Sequence, residues 1–105
     1  MKEVEKKILP QFFKDVVTGR KTFEIRKDDD GVQVGDVLVL KEFDGEKYTG
    51  KRVKRVVTYV LRDCAEYGLM DGFAVYGIQQ MGFDGTFVQT GNNSTQIGYV
   101  GELRL

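Results

Sequence analysis

Apolar and polar positions alternate along the first eighty residues in a way that switches repeatedly between the strand and helix periods. Residues 2–8 set Val4, Lys6 and Ile8 against Glu3, Glu5 and Lys7, which predicts a short first strand. Pro10 stands where a helix tolerates proline best, and Phe12, Phe13, Val16 and Val17 recur as one helical stripe before Gly19. The spacing predicts a helix over 10–18, with both phenylalanines in the core and Gly19 just past the end. Over 21–27 the period falls to two. A pleated strand there buries Phe23 and Ile25 and presents Thr22, Glu24 and Arg26 together. Val34–Leu40 reads as a turn and then a strand apolar on both faces, and Asp44-Gly45-Glu46 as a hairpin turn. A long strand follows over Lys51–Leu61. Its first half has no single apolar face, which suits an edge or a strand passing from a wet rim into the core. Residues 63–70 predict one turn of helix or a structured loop, and Phe73–Ile78 another buried strand.

Strand, helix, strand and then several strands without long intervening helices predict an α+β fold: a small mixed β-barrel with one or two short helices. From Gln79 onward glycine, threonine and asparagine dominate, with turns at Asp84-Gly85 and Gly91–Ser94 between Thr86–Thr90 and Gln96–Leu105. The chain therefore divides into a barrel over 1–80 and a polar C-terminal β-hairpin extension over 81–105, packed on the same domain. The hairpin has two open roles, protecting a sheet edge or making a subunit contact by self-association, and packing is the first reading of Phe83, Phe87 and Tyr99.

Composition narrows the chemistry. The chain has 105 residues, enough for one domain with a real core. It contains no histidine and one cysteine, which excludes a Cys–His pair, a histidine metal site and an internal disulfide. A lone Cys64 reads as a small core residue and fits a reducing cytoplasm. No apolar run reaches membrane-span length, and Met1–Lys7 is too charged for a signal peptide. Basic and acidic residues balance at sixteen each, so any basic surface is local. Such clusters occur at Lys2–Lys7, Arg20–Lys27 and Lys51–Arg55. Asp28-Asp29-Asp30 invites a metal, but consecutive side chains diverge in extended structure and the spaced acidic loop of a calcium site is missing. No motif calls for a metal or another cofactor.

The densest mixture of charge is Gly19–Lys27, where Arg20, Lys21, Arg26 and Lys27 surround the single carboxylate Glu24. Together with Thr22 these side chains form a candidate ligand site for a phosphate, a base edge or a polarised carbonyl. The alternative is a solvated strand face, because exposed ion pairs are common and weak.

Ile8–Phe13, Gly19–Arg26, Val34–Leu38 and Gly72–Ile78 resemble ASCH domains, in particular their small bacterial and phage branch. The resemblance spans roughly residues 3–79. It implies a PUA-like β-barrel with a cleft beside the helix end and the Lys–Arg strand, binding RNA or a modified nucleoside. Some ASCH members are amidohydrolases that deacylate N4-acetylcytidine with a lysine of the G-x-K-T motif, a threonine two residues past the motif threonine and a downstream glutamate. The lysine corresponds to Lys21; the second position holds Glu24; Asp63 or Glu66 stands where the downstream carboxylate would be. Two uses of the site follow. As a binder, Lys21 and Arg26 contact phosphate or carbonyl while Glu24 accepts from an exocyclic amine. As a hydrolase, Glu24 activates water and Lys21 stabilises the oxyanion. The charges favour binding, and a protein-interaction module remains a third reading.

Overall fold

The computed structural model describes residues 1–81 together with the backbone of Phe87–Val88. Strand β1 (Glu3–Ile8) leads into helix α1 (Pro10–Val17), followed by β2 (Phe23–Lys27), β3 (Val37–Phe43), β4 (Tyr48–Arg62), β5 (Phe73–Met81) and β6 (Phe87–Val88). The strands lie in the order β1-β3-β4-β5-β2, with β6 also paired to β5. β1 is parallel to β3, and the other neighbours are antiparallel. The result is a curled mixed sheet, a half-barrel in an α+β fold. The predicted barrel is thus open: among the described residues β1 and β2 form the two ends of the path and do not pair with each other.

One face of the sheet carries the core. Leu38, Leu40, Val57, Ala74, Tyr76 and Ile78 point inward, and Phe13 and Val16 of α1 pack on them with Ile8 and Val32. Burying side chains of this size contributes roughly 1.5–3 kcal/mol each. The helix starts as its proline requires and stops at Gly19, whose φ of 82° is one a Cβ would strain. Past that stop, the main-chain N–H groups of Arg20 and Lys21 both donate to the Asp15 carbonyl at 2.9 Å. This closure sends the chain straight from α1 into β2.

Several expectations hold. Residues Val37–Leu40 are buried on both faces of β3. The Asp44 carboxylate accepts from the N–H groups of Glu46 and Lys47 and shapes the β3–β4 hairpin. β4 pairs with β3 along its first half and gains β5 as a second neighbour only from Val56, so it does pass from rim to core. The second helical element shrinks to a 3-10 turn over Ala65–Tyr67. Residues 82–86 and 89–105, which carry nearly all of the predicted hairpin, lie outside the described residues. No helix among the described residues is long and apolar enough to cross a membrane.

Other expectations fail, among them a core place for Cys64, which is only half-buried. Phe12 is 41 % exposed, leaving Phe13 alone of the pair in the core. In β2 the predicted faces are exchanged: Phe23 and Ile25 are exposed, and Glu24 is buried. The cause is tertiary. Glu24 lies beside Tyr76 and Arg26 beside Ala74 in the antiparallel register with β5. Since β5 must bury Ala74, Tyr76 and Ile78, their partners in β2 face the core as well. On the outer face Phe23, Ile25, Tyr59 and Leu61 remain exposed around Val75 and Gly77. A Cβ at Gly77 would stand 3.2 Å from that of Tyr59, so the strands approach closely there.

Candidate functional site

The inward turn of β2 carries a carboxylate into the protein, and two neighbouring cations follow it. Lys21 Nζ donates to Glu24 Oε2 at 2.5 Å and to the Phe23 carbonyl at 2.7 Å. Arg26 approaches the other oxygen, with Nε at 3.0 Å and Nη2 at 2.9 Å from Oε1. Glu24 is 3 % exposed, whereas the Lys21 and Arg26 side chains are 18 % and 22 % exposed. The anion therefore lies at the bottom, with two cations above it that still reach solvent. The triplet carries one net positive charge, and its donors are held by ion pairs rather than swinging free.

Aromatic rings complete the rim. Lys21 Nζ is 5.0 Å from the centroid of Phe23 and 5.5 Å from that of Phe12. Both distances lie within the range over which a ring face attracts an ammonium. Phe12 thus belongs beside the site, although its place in the helical stripe predicts a core role. The Thr22 hydroxyl is buried without a hydrogen-bond partner among the described residues, while its carbonyl accepts from Ile78 N–H at 3.0 Å. A buried hydroxyl left without a partner costs stability at this position.

The remaining expected ligands separate from this group. Lys27 is exposed on the opposite face of β2, and Arg20 is exposed where the chain leaves the helix. Asp63 and Glu66 are also exposed, and neither forms an ion pair with Lys21. Lys21, Glu24 and Arg26 converge; Thr22 adjoins them. The three-aspartate run splits between cations, since Asp28 turns inward to Arg62 while Asp29 and Asp30 face Lys6. Among the described residues no cluster of carboxylate and thiol groups is arranged to hold a metal.

A second polar network lies next along the same inner face. Arg62 grips Asp28 with two donors, Nε to Oδ2 at 2.5 Å and Nη2 to Oδ1 at 2.9 Å. The buried Tyr76 hydroxyl donates to Asp28 Oδ1 at 2.9 Å, and Arg62 Nη2 also reaches the Val32 carbonyl at 2.8 Å. The hydrogen bond from Arg62 holds the Asp28 carboxyl below its usual range and pushes the guanidinium up in turn. Burial, reinforced by the Asp28 charge, raises the Tyr76 phenol to about 12. Tyr76 is the register partner of Glu24, so this network braces the floor beside the candidate site. The partners of Asp28 lie 34 and 48 positions away, and no local pattern announces them. Beneath the helix, Arg55 Nη2 donates to the Val16 carbonyl at 3.2 Å, and desolvation lowers its affinity for the proton.

Chemically, the arrangement offers held cationic donors over an apolar, aromatic rim. It offers less as a base. Both Glu24 oxygens are engaged by cations, so activating a water would require one ion pair to open.

The family model described as Domain of unknown function (DUF3850) matches residues 4–78. No curated protein matches the chain.

Proposed function

This chain belongs to the DUF3850 family, and we propose that it is a small binding domain for RNA or a modified nucleoside, recognised at the Lys21–Glu24–Arg26 site. The observation that carries the reading is the burial of Glu24 beneath two partly exposed cations. A carboxylate taken out of water costs several kcal/mol unless it is paired. A fold needing only a packed core has no use for this triplet, because apolar residues would serve that position as well. The exposed sides of Lys21 and Arg26 supply donors for a phosphate or a base carbonyl. Phe12 and Phe23 supply rings against which a base can stack. The resemblance to ASCH domains supports the same reading, with the half-barrel as a PUA-like fold. A lone cysteine that stays reduced suits a cytoplasmic protein of this kind.

Binding is favoured over hydrolysis because both oxygens of Glu24 already hold cations. The test is titration of the protein with cytidine, N4-acetylcytidine and their 5′-monophosphates, followed by amide chemical shifts. Shifts confined to Phe12, Thr22–Arg26 and Tyr76, lost in Lys21→Met, are expected. Shifts elsewhere, or none at millimolar ligand, would end the proposal. Release of free cytidine from the acetylated nucleoside would instead establish a hydrolase.

A further inference from the structure

The opposite face of the sheet holds a feature that folding alone does not explain. Lys7 on β1 is the register partner of Lys41 on β3, and Lys41 that of Arg52 on β4. Neighbouring strands stand roughly 4.8 Å apart, so three cations line up across three adjacent strands. Like charges placed directly opposite one another destabilise a sheet.

Nearby acids neutralise this row only in part. Glu5 lies 3.4 Å from Lys41, and Glu3 is engaged by Lys54 at 3.0 Å. Among the described residues no carboxylate pairs with Lys7 or Arg52. Next to the row, Phe43 and Tyr48 form an edge-to-face pair with centroids 5.2 Å apart. Lys7 Nζ stands 4.4 Å from the Phe43 centroid, and Lys41 Nζ 4.8 Å from that of Tyr48. These contacts offset part of the repulsion for the two lysines, and among the described residues no ring stands over Arg52. Tyr48 keeps 47 % of its surface exposed.

We infer that Lys7, Lys41, Arg52 and Tyr48 form a binding surface for single-stranded nucleic acid. The row of cations follows a phosphate backbone, and the exposed tyrosine ring receives an unpaired base. Combining a cationic track with an aromatic platform is how proteins hold single strands without reading sequence. A duplex keeps its bases stacked inside and cannot use the ring. Because Glu24 and Arg26 face the core, this surface lies on the other side of the sheet and does not rest on the nucleoside-site reading.

The experiment is fluorescence anisotropy of the full chain with a labelled oligouridylate of about twelve nucleotides, repeated over a series of salt concentrations. Arg52→Gln and Lys7→Gln should each weaken binding by about 3- to 10-fold at low salt and flatten the log–log salt slope by about 0.7. Tyr48→Leu should weaken binding roughly 5- to 100-fold with little change in slope. Arg52→Gln should melt no lower than the parent, which separates lost contact from lost fold. In a Lys21→Met background the losses caused by Arg52→Gln and Tyr48→Leu should keep the same size, whatever Lys21→Met does to nucleosides or RNA by itself. The inference is overturned if the parent fails to bind, if the outer-face variants bind as it does, or if their losses vanish in the Lys21→Met background. Equal affinity for duplex, or for vesicles of anionic phospholipid, also overturns it.

Discussion

Replacing Glu24 by glutamine keeps the shape of the side chain and removes its charge. Lys21 and Arg26, now at 2.5 Å and 2.9 Å from a carboxylate oxygen, would face a neutral amide that accepts through one atom only. Breaking a buried pair by changing one partner typically costs about 3–5 kcal/mol. Both cations keep roughly a fifth of their surface in water, which softens the loss. We therefore expect about 3 kcal/mol, or a fall of about 12–24 °C in Tm at about 4–8 °C per kcal/mol for a domain of this size. Thermal and urea unfolding at neutral pH, followed by circular dichroism, measure it. The deficit should persist near 1 M salt, since a buried pair is screened far less than an exposed one. A triple variant, Lys21→Met with Glu24→Leu and Arg26→Met, should recover most of the stability while losing nucleotide binding, because an apolar replacement removes the desolvation cost of all three charges. A Glu24→Gln protein melting within about 3 °C of the parent would refute the reasoning. It would mean that the carboxylate is not held out of water between the cations.

Two further outcomes follow from the polar groups around the core. Asp36 accepts from the N–H groups of Gln33 at 2.8 Å and Lys2 at 3.0 Å, and these bonds, that from Gln33 first, hold its carboxyl below the usual range. A depressed carboxyl contributes stability that is complete above its unfolded value near 3.9 and is lost as pH falls through the folded value. Asp36→Ala should thus cost about 2–4 kcal/mol at neutral pH and progressively less below about pH 4; urea midpoints across that range measure it, and a pH-independent difference would contradict the assignment. Tyr76, raised to about 12, should appear as a late phenolate step in ultraviolet titration that Tyr76→Phe deletes. The stability it lends is present below its unfolded value near 10 and declines as pH rises toward the folded one, so the two proteins should unfold more alike in strong alkali.

Local pattern alone determined a good deal of this protein. Pro10, the apolar stripe and Gly19 define α1 within a residue or so, since helix limits depend on nearby backbone chemistry. The apolar run Val37–Leu40 and the Asp44 turn specify β3 and its hairpin for the same reason. The grouping of Lys21, Glu24 and Arg26 was legible because they lie within six positions of one another in the chain. Which way they faced was not. Alternation says that Glu24 and Arg26 share a side of β2, but which side is inward depends on β5, almost fifty residues further along. Opposite charges two positions apart on a strand are the one local hint, since such a face can neutralise itself when buried.

Only the tertiary structure decided that the barrel stays open, that Phe12 sits beside Lys21, and that Asp28, Arg62 and Tyr76 meet. It also aligned Lys7, Lys41 and Arg52 from three separate strands into one row. The physical reason for the last two is strand register, which the chain settles by burying its most apolar face, and the charged positions are carried wherever that choice puts them.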